Sequence, residues 1–232
     1  MRGKKIAVVL ACLLAFACAA REAAEQEASG DDVSATSQPA AEESPYELKR
    51  GDYEIGFWAG GSPGTTTFWG RSRDRKLLMT AFRAGRVMWL RKHFTIQLMV
   101  DVHPFVRLVQ PRDKREFETD EGDLIIANSG PDATGVGISP IGAKFLFRRR
   151  ERIKPFVEAR GGILYFDQSI PYDAGRSFNY ALDGGAGVQI FSRSRNAMTL
   201  GYKFHHISNA YTGRINPGID SHIFYAGFSL FR

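Results

Sequence analysis

The chain has 232 residues, of which 44% are hydrophobic, and it carries a formal net charge of +6 at pH 7. This length allows one domain of ordinary size, and no apolar run beyond the extreme N-terminus is long enough for a transmembrane helix, which excludes a helical membrane protein. Both cysteines, Cys12 and Cys18, lie near the N-terminus, so the rest of the chain has no disulfide or cysteine-based metal site.

The first 20 residues have the order of an export signal peptide. Basic residues at the start are followed by an apolar stretch over 6–17 and by small residues around 18–20. We expect cleavage there and export from the cytoplasm. Cys18 could alternatively become a lipidated first residue, but position 15 is Ala where lipoprotein signals usually have Leu.

Residues 21–48 are predicted to form an acidic, disordered linker. They contain eight acidic residues and one basic residue in a background of Ala, Ser, Gln and Gly, a composition that cannot bury a core. The remaining residues, 49–232, contain 27 basic and 17 acidic residues, a formal charge of +10. This excess suits an anionic lipid surface. It would equally suit nucleic acid, but an export signal argues against that partner.

From Tyr53 onward the dominant hydrophobic period is two, which predicts β-strands. Eight strands are predicted, at 53–60, 77–90, 93–109, 138–149, 152–166, 177–192, 196–208 and 221–231. The connections between them alternate in length. Short basic connections lie around 90–92, 148–152 and 192–195, and long ones span 61–76, 110–137, 167–176 and 209–220. Outer-membrane barrels distribute periplasmic turns and extracellular loops in this way.

Two of the predicted strands separate their faces clearly. In 93–109 an apolar row of alternate residues, from Phe94 to Leu108, opposes a mixed row from His93 to Arg107. In 196–208 the two rows are Met198, Leu200, Tyr202 and Phe204 against Thr199, Gly201, Lys203 and His205. An apolar face opposite a face with charged residues is typical of a lipid-facing wall around a polar lumen.

Together these features predict an all-β fold, an eight-stranded antiparallel transmembrane β-barrel of the outer-membrane type, over residues 49–232. The alternative is a soluble β-sandwich or lipocalin-like barrel with its apolar face inward, but the 15-residue strand 152–166 exceeds the usual soluble strand. The final stretch 224–232 is similar to the aromatic-terminated last strand of many outer-membrane proteins, except that Arg232 follows the aromatic residue. We therefore expect a location among the lipids of a Gram-negative outer membrane.

Polar residues end the apolar face of the strand 196–208. By strand parity His206 and Ser208 continue the row that contains Phe204, and their Cα atoms lie about 6.6 Å apart, so the imidazole can reach toward the hydroxyl. A register that pairs Ser208 with Asp220 aligns apolar with apolar residues and makes Asp220 a diagonal neighbour of His206. Nucleophile, base and orienting acid would then share one outward patch, as a serine esterase requires.

This segment resembles the lipid A 3-O-deacylases of the PagL type, eight-stranded outer-membrane barrels that hydrolyse the ester-linked acyl chain at position 3 of lipid A. The likeness rests on a His-x-Ser-Asn-Ala run from His206, an Asn-Pro-Gly run from Asn216 and an acid twelve residues after the serine. It implies that His206 is the base, Ser208 the nucleophile and Asp220 the orienting acid, a position that is often Glu in the family. It also implies that Asn209 and Asn216 stabilise the oxyanion.

The leading hypothesis is therefore a serine esterase, without metal or cofactor, that removes an acyl chain from the lipid A part of lipopolysaccharide. Basic residues near the site, Arg214 among them, would bind the phosphates of the lipid. The alternative is a non-catalytic barrel for adhesion, membrane integrity or small-molecule passage, in which the same residues are interfacial or turn residues. An oligomer is compatible with both.

Other polar and aromatic residues have weaker interpretations. His222 shares the outward face of the proposed site and is a rival base. Three histidines fall on predicted lumen rows, where polar packing is favoured over a metal site: His93, His103 and His205. Three tryptophans are predicted to be rim or girdle anchors: Trp58, Trp69 and Trp89.

Overall fold

The structure, a computed structural model, describes residues 44–119 and 122–232. The predicted signal peptide at 1–20 and most of the predicted linker at 21–48 lie outside the described residues. The strands are β1 (Tyr53–Ser62), β2 (Thr65–Thr66), β3 (Lys76–Leu90), β4 (Phe94–Val109), β5 (Lys114–Glu118), β6 (Leu124–Asn128), β7 (Ala133–Phe147), β8 (Ile153–Ile170), β9 (Arg176–Phe191), β10 (Asn196–Ser208) and β11 (Ile219–Phe231). The described ranges contain no helix with the length and hydropathy needed to cross a membrane.

Eight of these strands close into an antiparallel barrel in the order β1-β3-β4-β7-β8-β9-β10-β11, with β11 pairing back to β1. The predicted eight-stranded barrel of the outer-membrane type is confirmed. The short connections lie at one end of the barrel, here called the turn end, together with the start of β1 and the end of β11. The long connections lie at the other, the loop end, where β5 and β6 form a separate hairpin and β2 pairs with the start of β11.

The start of β7 differs most from the predicted strand bounds. β7 begins at Ala133, inside the segment predicted as a loop. The added part of the strand contains Gly135 and Gly137, which both pair with β8. A Cβ atom added to Gly135 would lie 2.6 Å from the carbonyl oxygen of Tyr165. The close approach of β8 therefore requires glycine within the strand.

β4 keeps the predicted alternation only as far as Pro104. Beyond it Val106 and Leu108 are fully buried, whereas Phe105 and Arg107 are exposed. The β4–β7 register shifts just before Val106. The predicted outward facing of Val106 and Leu108 is therefore wrong, because alternation assumes an uninterrupted ladder and a bulge exchanges the two faces.

Charged side chains fill the middle of the lumen. The guanidinium of Arg160 contacts Asp101, lies 2.6 Å from Glu158 Oε1 and lies 3.0 Å from Asp183 Oδ1. Arg83 lies 2.8 Å from Asp101 Oδ1, and all five side chains are at most 4% exposed. The middle of the lumen is thus filled by ion pairs, and buried apolar side chains such as Leu77, Leu146 and Phe156 form a core cluster in the same barrel.

Trp58 also belongs to the lumen, so its prediction as a rim or girdle anchor is wrong. It is 2% exposed, and its indole N–H donates to Asp101 Oδ2 at 2.9 Å. The neighbouring Phe57 is 43% exposed on the outer wall. Because side chains alternate along β1, an outward Phe57 requires an inward Trp58. Trp89, by contrast, is exposed.

Residues 44–48, the last of the predicted linker, pack against the turn end. Leu48 is fully buried in the hydrophobic core cluster of the barrel, and Tyr46 packs against that cluster. Glu47 lies 2.7 Å from the guanidinium of Arg149 and 3.3 Å from that of Arg150. The barrel unit therefore includes these five residues as well as the predicted 49–232.

Candidate active site

The strands β10 and β11 bring the predicted site residues together on the outer wall at the loop end. His206 pairs with Asp220, two positions away from the predicted pairing of Ser208 with Asp220. A shift of two leaves every side chain on its predicted face and changes only its partner. Apolar residues align with apolar residues in both registers, so the sequence could not distinguish them. The observed register puts Asp220 directly opposite His206 and not diagonal to it.

The imidazole of His206 is bound to a buried carboxylate. Its Nδ1 lies 2.5 Å from Oδ1 of Asp220, which is fully buried, and the His206 side chain is 19% exposed. A carboxylate at this position accepts a hydrogen bond from Nδ1–H. The imidazole then carries its proton on Nδ1, and Nε2 is the basic nitrogen. The other oxygen, Oδ2, accepts from the backbone N–H groups of Trp69 at 2.5 Å and Gly70 at 2.7 Å. The acid is thus fixed by three hydrogen bonds.

The loop 63–75 supplies this support, which the sequence did not indicate. The Trp69 ring stands perpendicular to the His206 ring, with the centroids 5.5 Å apart. Gly70 packs so closely on Gly218 that an added Cβ would lie 2.8 Å from the Gly218 carbonyl carbon. Gly218 itself has a φ of +63°, a conformation that favours glycine. Trp69, predicted as a girdle anchor, is half-exposed and packs on the imidazole of His206.

The hydroxyl of Ser208 is engaged by the loop that follows β10. Its Oγ accepts from the backbone N–H of Ala210 at 3.0 Å and from Nδ2 of Asn216 at 3.1 Å. Within the described residues no hydrogen bond joins Ser208 to His206. The two side chains share the same face of β10, because they are two positions apart.

The two asparagines implied by the family resemblance hold this loop together. Asn209 is 2% exposed, and its Nδ2 donates to the carbonyl oxygen of Ile215 at 2.8 Å. Its backbone N–H donates to Oδ1 of Asn216 at 3.1 Å. Asn209 therefore orients Asn216, and only Asn216 contacts the serine through its side chain.

In the described residues no hydrogen bond joins the other four histidines to this cluster. The Nδ1 of His222 lies 2.5 Å from the hydroxyl of Tyr202. His103 and His205 face the lumen as predicted, whereas His93 is exposed before β4 begins. In residues 44–119 and 122–232 there is no group of three or more His, Cys, Asp or Glu that could hold a metal ion.

The closed barrel and its apolar outer wall define an outer-membrane β-barrel of a Gram-negative bacterium, with a serine, a histidine and a buried acid clustered on the lipid-facing side. Residues 90–229 match the family model for lipid A 3-O-deacylase (PagL). The chain belongs to this family, so the resemblance proposed from the sequence is confirmed. Members of the family deacylate lipid A in the outer membrane.

Several solved outer-membrane proteins are similar in fold. The outer membrane enzyme PagL is 18% identical over 76% of this chain and 97% of its own, with a TM-score of 0.47. Neisserial surface protein A (NspA) is 14% identical over 77% and 96%, with a TM-score of 0.44. OprG from Pseudomonas aeruginosa is 11% identical over 81% and 98%, also with a TM-score of 0.44. No curated protein is significantly similar in sequence.

Proposed function

We propose that the protein hydrolyses the acyl ester at the 3-O position of lipid A, with Ser208 as nucleophile, His206 as base and Asp220 as orienting acid. The substrate and the position of the ester are taken from the family. The observation that carries the assignment of residues is the 2.5 Å contact between His206 Nδ1 and Asp220 Oδ1, two strand positions from Ser208 on the lipid-facing wall.

The proposed reaction starts with a rotation about the Cα–Cβ bond of Ser208. This rotation exchanges the contact with Asn216 for one with Nε2 of His206. His206 then takes the hydroxyl proton while Oγ attacks the ester carbonyl carbon, and the sugar oxygen leaves with that proton. A water molecule, deprotonated by the same nitrogen, hydrolyses the acyl-serine ester and releases the fatty acid. Asp220 stabilises the imidazolium in both steps.

The loop after β10 supplies candidate donors for the oxyanion. Nδ2 of Asn216 and the backbone N–H of Ala210 both point at the resting Ser208 hydroxyl. Rotation of Oγ toward His206 frees both donors beside the reacting carbonyl, where fixed donors stabilise developing negative charge. We assign this role to Asn216, whereas Asn209 positions Asn216 through its own backbone N–H.

Two arginines next to the site suit the phosphate groups of lipid A. The backbone N–H of Arg71 donates to the carbonyl oxygen of Pro217 at 2.5 Å, which keeps Arg71 beside the loop 209–218 that carries Arg214. Both side chains are exposed. Guanidinium groups bind phosphate oxygens through paired, charge-assisted hydrogen bonds. They would hold the sugar headgroup while its acyl chain lies along the wall.

The packed lumen argues against small-molecule passage, part of the alternative function. Lys144 Nζ lies 3.0 Å from Glu54 Oε2, and both side chains are fully buried. This pair lies toward the turn end, and the ion pairs of Arg160 and Arg83 fill the middle of the barrel. Moving a solute through it would separate buried charges, which costs several kcal/mol per ion.

The proposal is tested by mass spectrometry of lipid A from cells that lack the gene and carry either the parent, Ser208→Ala or His206→Ala. We expect the parent alone to remove one ester-linked acyl chain, and fragmentation of the product locates the lost ester. Heat-modifiable gel mobility reports whether each barrel is folded, and Ser194→Ala, an exposed serine at the turn end, serves as the matched control. Deacylation by a folded Ser208→Ala variant would rule out Ser208 as the nucleophile.

A further inference from the structure

Two exposed arginines flank an exposed tyrosine on the outer wall at the turn end. Tyr53 is the first residue of β1 and pairs with Arg86 of β3 on one side. On its other side Tyr53 exchanges both backbone hydrogen bonds with Arg232, at 2.6 and 2.9 Å, so these two residues also oppose each other. The next pair, Glu54 and Phe231, is buried in the lumen. Arg86, Tyr53 and Arg232 therefore form one outward row across three adjacent strands, here called the arginine row.

Both guanidinium groups of the arginine row can donate to a ligand. Cζ of Arg86 lies 5.1 Å from the centroid of the Tyr53 ring, a cation–π contact that uses no N–H group. Arg232 donates one of its five N–H groups to the carbonyl oxygen of Phe231 at 2.9 Å. Among the residues that the structure describes, neither guanidinium is paired with a carboxylate. Both side chains are exposed, and a cation beside hydrocarbon costs free energy without an anionic partner.

Apolar side chains continue the outer face from the arginine row toward the hydrocarbon. Ile55, two positions after Tyr53, is 68% exposed and opposes Leu230, which is 40% exposed. On its other side Ile55 opposes the small residue Ala84. The wall thus changes from two cations to apolar side chains over two strand positions, about 6.6 Å. A phospholipid has the same order, because its acyl chains follow its phosphate directly.

The charge around the arginine row determines which headgroup it favours. Eleven basic residues lie at the turn end, before β1, in the three short turns and after β11: Lys49, Arg50, Arg91, Lys92, Arg148, Arg149, Arg150, Arg152, Arg193, Arg195 and Arg232. Three acidic residues of the described chain share this end: Glu47, Asp52 and Glu151. A zwitterionic headgroup would bring its ammonium group into this positive potential, whereas an anionic headgroup is attracted by it.

We propose that Arg86, Tyr53 and Arg232 bind the phosphate of an anionic glycerophospholipid in the periplasmic leaflet of the outer membrane. Short turns of outer-membrane barrels face the periplasm, so the arginine row lies at the headgroup level of that leaflet. The guanidinium groups donate paired, charge-assisted hydrogen bonds to the phosphate oxygens, and the Tyr53 ring orients Arg86. This site lies at the opposite end of the barrel from the proposed active site and takes no part in hydrolysis.

The test is native mass spectrometry of the purified protein in detergent, titrated with phosphatidylglycerol or with phosphatidylethanolamine of the same acyl chains. We expect the parent to bind phosphatidylglycerol more tightly. Arg86→Gln should lower the affinity for phosphatidylglycerol about tenfold, the scale of one charge-assisted hydrogen bond, and should change the affinity for phosphatidylethanolamine less. Arg86→Lys keeps the charge but loses the paired donors, so its affinity should be intermediate. Heat-modifiable gel mobility reports whether each variant is folded.

Two other exposed arginines serve as matched controls. Arg193 lies in a turn at the same end but outside the arginine row, and Arg107 lies at the loop end. Arg193→Gln and Arg107→Gln should bind phosphatidylglycerol within about twofold of the parent, since neither removes a hydrogen bond to the phosphate. An equal loss in Arg86→Gln and Arg193→Gln would replace the site by a diffuse attraction. Equal affinity of the parent for the two phospholipids would also overturn the proposal.

The leaflet is identified in cells by photocrosslinking. Ile55 is replaced by p-benzoylphenylalanine, which on irradiation attaches to the nearest acyl chain, and mass spectrometry of the adduct distinguishes a glycerophospholipid from lipid A. We expect glycerophospholipid adducts, with a smaller anionic share when Arg86→Gln is also present. Adducts of lipid A at this position would put the arginine row in the outer leaflet and overturn the assignment of the ligand.

Discussion

Asp220 contributes more to the site than the orientation of one imidazole. Its two oxygens accept three hydrogen bonds, from His206, Trp69 and Gly70. In Asp220→Asn one side-chain atom becomes an NH2 donor, which then faces either the backbone N–H groups or the Nδ1–H of His206. We expect the barrel to fold and the hydrolysis rate to fall by about 10³- to 10⁴-fold, as when a triad acid becomes an amide.

The rate is measured on purified lipid A with purified protein. Asp173→Asn is the matched control, because Asp173 is an exposed aspartate of a neighbouring loop whose carboxylate accepts hydrogen bonds from Asn128 at the end of β6. Its rate should equal that of the parent. A normal rate in Asp220→Asn would show that His206 needs no charged partner and would remove Asp220 from the proposed triad.

The sequence predicted which side chains form the cluster but not what supports them. His206, Ser208 and Asp220 lie within one short segment, where spacing and strand parity determine a common face. Trp69 and Gly70 reach Asp220 through backbone N–H groups, which every residue other than proline has. They are also about 150 positions away in the chain. Backbone donors and a partner that is distant in the chain produce no recognisable sequence motif. This part of the site can therefore be identified only from the folded structure.

At the scale of elements, the loop 63–75 and the loop 209–218 depend on each other through two glycines. A Cβ atom at Gly70 would lie 2.8 Å and 2.9 Å from the carbonyl carbon and oxygen of Gly218. These atoms are backbone and cannot rotate away, so Gly70→Ala should move the loop 63–75 off Asp220. We expect the hydrolysis rate to fall at least tenfold. The variant should still show the heat-modifiable gel mobility of a folded barrel.

Gly64 provides the matched control within the same loop. An added Cβ there meets no atom within 4 Å. Gly64→Ala should therefore retain the parent rate. If Gly70→Ala were as active as Gly64→Ala, the two backbone N–H groups would not be needed to hold the acid.

Strand alternation predicted all eight barrel strands, and it failed where the ladder is irregular. The bulge in β4 exchanges the faces of Val106 and Leu108, and nothing in their own side chains distinguishes a wall from a lumen position. The predicted register of β10 against β11 differs from the observed one by two residues, because apolar residues recur at every second position in both strands. Periodicity gives the faces of a strand, whereas its register depends on contacts made elsewhere in the barrel.

At the scale of the whole molecule, buried ion pairs lie inside the barrel together with its apolar core cluster. Arg160 is 1% exposed and contacts the carboxylates of Asp101, Glu158 and Asp183. Arg160→Met removes one cation from among three buried anions, so we expect it to lower the free energy of unfolding by about 3–5 kcal/mol. Urea unfolding of the detergent-solubilised barrel measures this change. Arg107→Met breaks an ion pair with Asp132 that is half-exposed, and it should cost about 0–1 kcal/mol. Equal costs in the two variants would mean that the lumen is hydrated.

The orientation of the barrel decides whether the site can reach lipopolysaccharide, which occupies the outer leaflet. We expect the loop end to face the outside of the cell, because long loops are extracellular and short turns periplasmic in outer-membrane barrels. Both cysteines of the chain lie in the predicted signal peptide, so single cysteines can report orientation. A membrane-impermeant maleimide should label Leu124→Cys, which is 77% exposed in the hairpin at the loop end, on intact cells. It should label Ser194→Cys at the turn end only after the outer membrane is permeabilised. Labelling of Ser194→Cys alone on intact cells would put Ser208 at the periplasmic leaflet, where phospholipids would replace lipid A as the lipid within reach.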